Sequence, residues 1–502
     1  MKLMKLSGVP AIAGSLLLAG VVAAAPAVAV TFTEISPVRS IDPYSDSGSV
    51  EAFTIDGDTL YVASYDVIKV FPRTASGLAT PQRVITGANT QLESVSDLAV
   101  GADGRLYVSD WNGFVLVFAA DADGDVAPVQ SIKGDNVDLG YTSSVAVGPD
   151  GSIYVGDYDG QVHVWSRTAT GDVAPNRTLE GPDGKLDEPE DLLFDKKGDL
   201  LVSDYSDDAI HVFDAAASGK AAPIRSFWAP EEFDCNYRMA MDSSENVYVN
   251  TCYDNIFVFG RGASGVTTPL KTIRPAGGKS VWTLALDSDR NFYVGNNDDY
   301  VVDVFSPQIP FAKPAPATAV AVAGKAKDVK RTASWKASAD DGGAPVTYKV
   351  EVKQGGTTLL STTTASTSLT VGREILKKGS HQVTVTATNR AGAAAAATAS
   401  FGVAQIKPGR VQEVSVKGGK AAAKRTVRWA KPAWDGGAKV RSYRVVVKQG
   451  KAVLVNETVK AKKRKLKVLK ADLAGGKHKV LVRAKNKKGF GKPGKATFTV
   501  KK

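Results

Sequence analysis

Cysteine and histidine are scarce in this chain, with two cysteines and four histidines in 502 residues. Two cysteines exclude a disulfide-dense scaffold and a four-thiolate zinc centre. Of the histidines, His163 and His211 occupy one slot of a repeat in which other copies hold Lys69, Leu116, Phe257 and Asp303. That slot tolerates any side chain, so a Ser/His/Asp nucleophile system has no evident base. Long apolar runs are also missing: beyond the amino terminus no stretch is long or apolar enough to cross a bilayer as a helix.

The amino terminus itself carries Lys2 and Lys5, an apolar run over residues 9–24, and Ala27-Val28-Ala29 with small residues at the cleavage positions. This pattern reads as a secretory signal peptide, residues 1–29. The run is too short and too rich in Ala and Gly for an anchor, and no cysteine stands beside the cleavage point to take a lipid. The mature chain is expected to be extracellular, and wall-associated if its basic tail meets an anionic cell wall. The formal net charge of +11 hides a division, because residues 30–310 carry about −24 and residues 311–502 about +33. Each part needs its own electrostatic argument.

Residues 96–142 return almost unchanged as 143–189: SDLAVGADGRLYVSD is followed by SSVAVGPDGSIYVGD, and FVLVF by QVHVW. Each copy holds a short apolar run, a DG turn, a YVSD or YVGD run, a loop, a VxVF-like run, a Gly/Pro turn and a last short run. Four strands per copy at a period of about 47 residues predict an all-β chain whose first part is a β-propeller. PVRSI at Pro37 matches the last strand of later copies (PQRVI, PVQSI, PNRTL, PIRSF, PLKTI) before any copy has begun, while the copy at Thr283 stops after three strands. The amino-terminal strand is therefore expected to complete the last blade. The result is a six-bladed propeller over residues 30–308, with blades starting near Glu51, Ser96, Ser143, Glu190, Tyr237 and Trp282.

The copies resemble NHL repeats, on AVGADGRLYVSD with VLVF, AVGPDGSIYVGD with VHVW, and LLFDKKGDLLVSD with IHVF. The Arg that often precedes the third strand in that family is missing. With strands alternating in direction, the loops entering the innermost strands and those after the second strands share one face. There the sequence places Glu51, Asp97, Glu190, Asp191, Arg238 and Trp282, together with Asp110, Trp111, Asp157, Tyr158, Asp204, Tyr205 and Asn296. Carboxylates beside aromatics suit a Ca²⁺ ion or a stacked sugar. The other reading is that each recurring Asp ties its own turn and the aromatic packs between blades.

Cys235 and Cys252 fall in two loops of one blade on this face, which in an exported chain argues for a disulfide. DADGD at residues 121–125 resembles part of a calcium loop. It sits, however, where other copies have TASG or TATG and lacks the distal Glu, so it reads as a turn. Propellers related to gluconolactonases hold a divalent metal in the channel, and Glu51, Glu190, Asp191 and Asn296 are the residues that could imitate that set.

A Pro-rich linker (309–316) leads to two stretches, 317–405 and 406–502, with short alternating strands. Trp335, DDGGAPVTYKVEV and HQVTVTATNRAG in the first are matched by Trp429, WDGGAKVRSYRVVV and HKVLVRAKNKKGFG in the second. Both resemble fibronectin type III β-sandwiches, with His381 and His478 in place of the corner tyrosine. In the second, Lys462, Lys463, Arg464, Lys465, Lys467 and Lys470 form a basic patch, with Leu466 and Val468 facing inward. Such a patch attracts anionic envelope polymers or the chain's own acidic propeller, and no aromatic interleaving supports sequence-specific nucleic-acid reading. These features together point to a secreted, non-catalytic binding or adhesion protein for a glycan, a peptide or a cation. The company that bacterial fibronectin type III modules keep leaves an extracellular carbohydrate-active hydrolase or lactonase as the alternative.

Overall fold

A computed structural model describes residues 31–44, 48–182, 186–230, 233–252, 254–296 and 298–501, so the leader expected at 1–29 lies outside the described residues. Between residues 33 and 305 the chain forms antiparallel sheets whose first strands are Ala52–Asp56, Val95–Val100, Thr142–Val147, Pro189–Phe194, Asn236–Met241 and Thr283–Leu286. Each first strand lies beside the next, and Thr283–Leu286 returns to lie beside Ala52–Asp56.

The middle strands of each sheet are buried on both sides: every residue of Leu106–Asp110, Phe114–Phe118, Ile153–Asp157 and Leu200–Asp204 is buried. Both faces are covered because cores lie between neighbouring sheets. Phe114 and Leu98 pack against Ile68 and Val70 of the preceding sheet. On the opposite face Tyr107 and Val115 pack against Ile153 and Trp165 of the following one. The circuit is completed where Ile41, Val302 and Tyr293 meet Val62 and Phe71. This is a β-propeller-like fold, in which each sheet is stable only between two others.

Ring closure uses the amino terminus. Arg39–Asp42 pairs antiparallel with Val301–Phe305, and Thr33–Ile35 pairs parallel with Lys271–Pro275 of the neighbouring sheet. The second pairing follows a rule seen round the ring, in which the turn before each outermost strand hooks onto the outer strand of the preceding sheet. Gly77–Leu78 pairs with Arg39–Asp42, Gly124 bridges Ile85, and Gly219 bridges Leu179. In P-x-R-x-I the third residue clamps the next sheet: Arg83 donates to Ala122 O (2.8 Å), Arg225 to Ala263 O (2.6 Å), and Gln130 to Ala169 O (2.8 Å).

Residues 121–125 form such a hook. Asp125 accepts the backbone and side-chain N–H of Asn89 (2.7 and 3.0 Å), as Asp172 does for Asn136 (2.7 and 2.9 Å).

Beyond residue 316 two similar units follow. In the first, Thr318–Ala323, Lys330–Lys336 and Ser368–Gly372 form one sheet, and Thr357–Thr364, Thr347–Gln354, Gly379–Asn389, Gly392–Ala393 and Ala397–Val403 the other. Trp335, Tyr348, Val350, Val383 and Val385 fill the space between them. Trp429, Tyr443, Val445, Val480 and Val482 do so in the second unit. His381 Nδ1 lies 3.2 Å from Gly379 O and its ring stacks on Phe401, while His478 repeats this with Gly476 O (2.9 Å) and Phe498. Burial lowers the His381 pKa, favouring a neutral imidazole that donates to its own strand.

The linker is held rather than free. Arg290 donates to Ile309 O and Pro310 O (3.3 and 3.2 Å) and lies over the Phe311 ring, while its other side faces Asp242 (3.5 Å). Ser243 Oγ donates to Gly343 O, and Arg390 pairs with Asp289 (2.5 Å).

Candidate functional site

On the face formed by the loops entering the first strands and leaving the second strands, a cavity of about 410 Å³ opens. Glu51, Trp111, Tyr158, Glu190, Tyr205, Arg238 and Trp282 line it, so seven of the residues read from the sequence converge there. Glu188 and Tyr237 join them. The rings form a broken belt: Trp111 stacks on Tyr141 (5.1 Å, 30°) and meets Tyr158 (5.1 Å), while Tyr237 bridges Tyr205 (5.3 Å) and Trp282 (5.9 Å). Trp111, Tyr141 and Trp282 remain 40–58% exposed, so three large rings on one face stand open to solvent.

The floor is Arg238, whose Nη1 donates to Ser143 O (3.1 Å) and Glu190 O (3.0 Å), and whose Nη2 donates to Ser96 O (3.0 Å). These carbonyls come from three different sheets. Asp97 stands 3.7 Å away. Arg238 also lines a second cavity, of about 320 Å³, inside the ring with Asp97 and Asp191, so the guanidinium separates mouth from channel.

Burial raises the Asp97 pKa and pushes Asp191 up to about 7, the neighbouring Asp97 charge adding to the second. For Arg238 burial opposes the charge, yet Asp97, Asp191 and Glu190 outweigh it and its pKa is raised. Glu190 is raised by burial, against Arg238 and a hydrogen bond from Tyr158. Tyr237 is pushed up to about 12 by burial and by Tyr205.

Asp97 and Asp191 also latch the ring, accepting Val145 N (3.0 Å) and Met239 N (2.5 Å) of the following sheets. Asp110, Asp157 and Asp204 are fully buried and do not line the mouth. Asp110 accepts the amides of Glu93, Ser94 and Asn112, Asp157 accepts Gln161 N and faces His163 Nε2 (3.0 Å), and Asp204 accepts Asp187 N and Asp207 N. The recurring Asp thus ties its own turn, while the aromatic beside it faces outward.

Glu51, Glu190, Asp191 and Asn296 do not assemble into a divalent-metal set. Asn296 is fully buried, outside both cavities, with Oδ1 accepting Asp298 N and Asp299 N. Glu190 O and the nearby carboxylates already face a fixed guanidinium. Among the described residues no group of three or more His, Cys, Asp or Glu is arranged to hold a metal ion.

Cys235 and Cys252 are disulfide-bonded, joining the loop that enters the fifth sheet to the turn after its second strand. The basic patch forms one wall of a surface cavity of about 730 Å³, lined by Lys462, Lys463, Arg464 and Lys465 with Trp429, Arg428 and Glu413. Lys467 and Lys470 lie outside its lining, Lys467 on the exposed side of the strand Lys465–Leu469.

Tyr141 is not singled out by the sequence, and Glu188 only as part of the large loop 181–189 expected on this face. Their signal is position: each sits at or just before the entry to an innermost strand, as Glu51 does.

No family model matches the chain, and no curated protein matches it. Among solved structures it is similar to the WD40 β-propeller domain of Doa1, at 15% identity and a TM-score of 0.38, over 51% of this chain and 77% of that one. Among the described residues no helix is long and apolar enough to cross a membrane.

Proposed function

We propose that this is a secreted, non-catalytic binding protein. Residues 30–308 form a six-bladed propeller of the NHL type closed by its amino-terminal strand, 309–316 a linker, and 317–405 and 406–502 two fibronectin type III modules. The propeller mouth binds a glycan, and the lysine-rich second module adheres to anionic envelope polymers.

One observation carries the first half. Trp111, Tyr158, Tyr205, Tyr237 and Trp282 surround Glu51, Glu188 and Glu190 in a single cavity. Sugar rings present apolar C–H faces that stack on such side chains and hydroxyls that carboxylates accept, a combination typical of small polar-ligand sites. The +33 tail, with five cationic residues against Glu413 in the lining at the Lys462–Lys465 wall, supports the second half.

A glycan array read with the full chain and with Trp111→Ala and Trp282→Ala tests the mouth. The expected result is retention by the parent chain and loss of about tenfold or more in either variant. Unchanged binding in both variants removes the mouth from the function, and turnover of a retained glycan would assign the hydrolase instead. For the adhesive half, retention on isolated envelope at low salt and release at high salt are expected, and no retention at low salt refutes it.

A further inference from the structure

The junction between the two tail modules carries a further cavity, of about 880 Å³, whose lining shares no residue with that of the Lys462–Lys465 wall. Its cationic residues are Lys327, Lys407, Arg410, Arg483, Lys488 and Lys492, and no acidic residue lines it. All six side chains are exposed, and none forms an ion pair with a described residue.

Two rings, Trp434 and Phe490, stand among these charges. Trp434 is seated on backbone: a Cβ on Gly409 would lie 2.9 Å from its ring atoms, and Gly409 N donates to Trp434 O (3.0 Å). Its indole Nε1 is shielded and has no acceptor. The segment that carries Lys407 and Arg410 is fixed by Asn486 Nδ2, which donates to Ile406 O (2.7 Å), and by its close approach to Gly491, whose Cβ would meet Pro408 O at 2.1 Å. Lys327 comes from the first module, and Gln405 Nε2 reaches Gly437 O across the junction (3.5 Å). The groove therefore exists only when both modules hold this arrangement.

Six like charges converging without a counter-charge repel one another and cost stability, and a bound anion relieves that cost. Rings set between them add a flat apolar surface, which simple polyphosphate or polyglutamate does not exploit and a sugar ring does. We infer that this inter-module groove is a discrete binding site for an anionic glycan, a polymer whose sugar rings carry carboxylate, sulfate or phosphate groups. The site rests on the adhesive reading of the tail and deepens it, because it takes the ligand class from the lysine patch to a shaped groove with two rings in its lining.

The test uses the full chain at about 0.15 M salt, titrated with a heparin oligosaccharide, polyphosphate and polyglutamate. Arg483→Glu/Lys488→Glu reverses two groove charges, and Lys462→Glu/Lys463→Glu makes the same charge change on the patch. The groove variant is expected to lose about tenfold or more in affinity for the heparin oligosaccharide, because its charges converge beside two rings in one lining, and the patch variant about threefold or less, because its charges stand along one strand face and the turn before it. Trp434→Phe, which keeps a ring on Gly409, should abolish a ligand-induced change in tryptophan emission while leaving the thermal transition in place.

Equal losses in the two charge-reversal variants would overturn the groove while the adhesive reading stands. Equal affinity for all three polyanions would do the same, showing diffuse attraction without sugar recognition. No binding by the parent chain would remove both readings together.

Discussion

Replacing Arg238 with methionine keeps most of the volume of the side chain and removes its charge and donors. Three carbonyls, Ser96 O, Ser143 O and Glu190 O, lose a cationic partner, and Asp97 and Asp191 lose the charge beside them. A hydrogen bond to a charged group contributes about 1.5–3 kcal/mol, and removing one partner of a buried pair costs about 3–5 kcal/mol. Cavities on both sides of Arg238 let water take over at the freed carbonyls, so the hydrogen-bond losses are largely offset and the cost of leaving the buried carboxylates unpaired dominates. A loss of about 4 kcal/mol at neutral pH follows, which for a domain of this size lowers Tm by about 10 °C.

The pH dependence separates charge from geometry. Asp191 has its pKa raised to about 7 by burial, above its unfolded value of about 3.9. The folded state therefore binds that proton more tightly than the unfolded chain. Its contribution is most favourable below the unfolded pKa and declines as pH rises through the folded one. Without Arg238 the folded pKa values of Asp97 and Asp191 climb further, so the variant loses stability more steeply between about pH 5 and pH 8. Scanning calorimetry of both full chains should show a gap that is widest at pH 8 and narrows toward pH 5, as protonation removes the carboxylate charge that Arg238 offsets. A gap that stays flat would refute the charge pairing, and no gap at all would refute Arg238 as the tie between sheets.

Other perturbations read separate parts of the molecule. Cys235→Ser with Cys252→Ser opens a loop of 17 residues, and loop-closure entropy puts the loss near 3 kcal/mol; a melting curve unchanged from that of the oxidised parent would contradict a stapling role. Gly343 takes φ +79°, and a Cβ there would fall 1.6 Å from Arg290 Nη2. Gly343→Ala should therefore free the first module from the propeller, seen as a longer maximum dimension in small-angle scattering and faster proteolysis within 307–316, with the module's own melting little changed. An unaltered scattering profile would show that the linker contacts alone fix the junction.

Much of this was legible in the sequence, for reasons that individual residues make plain. PVRSI at residue 37 announced the strand that pairs with Val301–Phe305, because a motif found six times has one structural meaning. Trp111, Tyr158 and Tyr205 could be placed on one face because each follows the same second strand. The partners of each recurring Asp could not be read, since burial and not residue type decides whether a carboxylate meets solvent or an amide. Arg238 was visible as a mouth residue, but its role depends on carbonyls 48, 95 and 142 residues away that only ring closure brings together. The hooks were hidden for a similar reason: Gly124, at φ +74°, reads as an ordinary turn glycine until its neighbour in the ring is known.

The landmarks shared by the tail modules have a common mechanical sense. Asn389 Nδ2 donates to Ala312 O and Asp341 O (both 2.7 Å), and Asn486 Nδ2 to Ile406 O and Asp435 O (2.7 and 2.8 Å). In both, the Asn ties the incoming chain to the DGG loop. The first glycine of that loop admits the incoming carbonyl: a Cβ on Gly342 would lie 2.0 Å from Ala312 O, and one on Gly436 2.2 Å from Ile406 O. The second glycine faces whatever precedes the module, Arg290 of the propeller for Gly343 and Lys378 N of the first module for Gly437. One local device, repeated, thus sets each module against its predecessor.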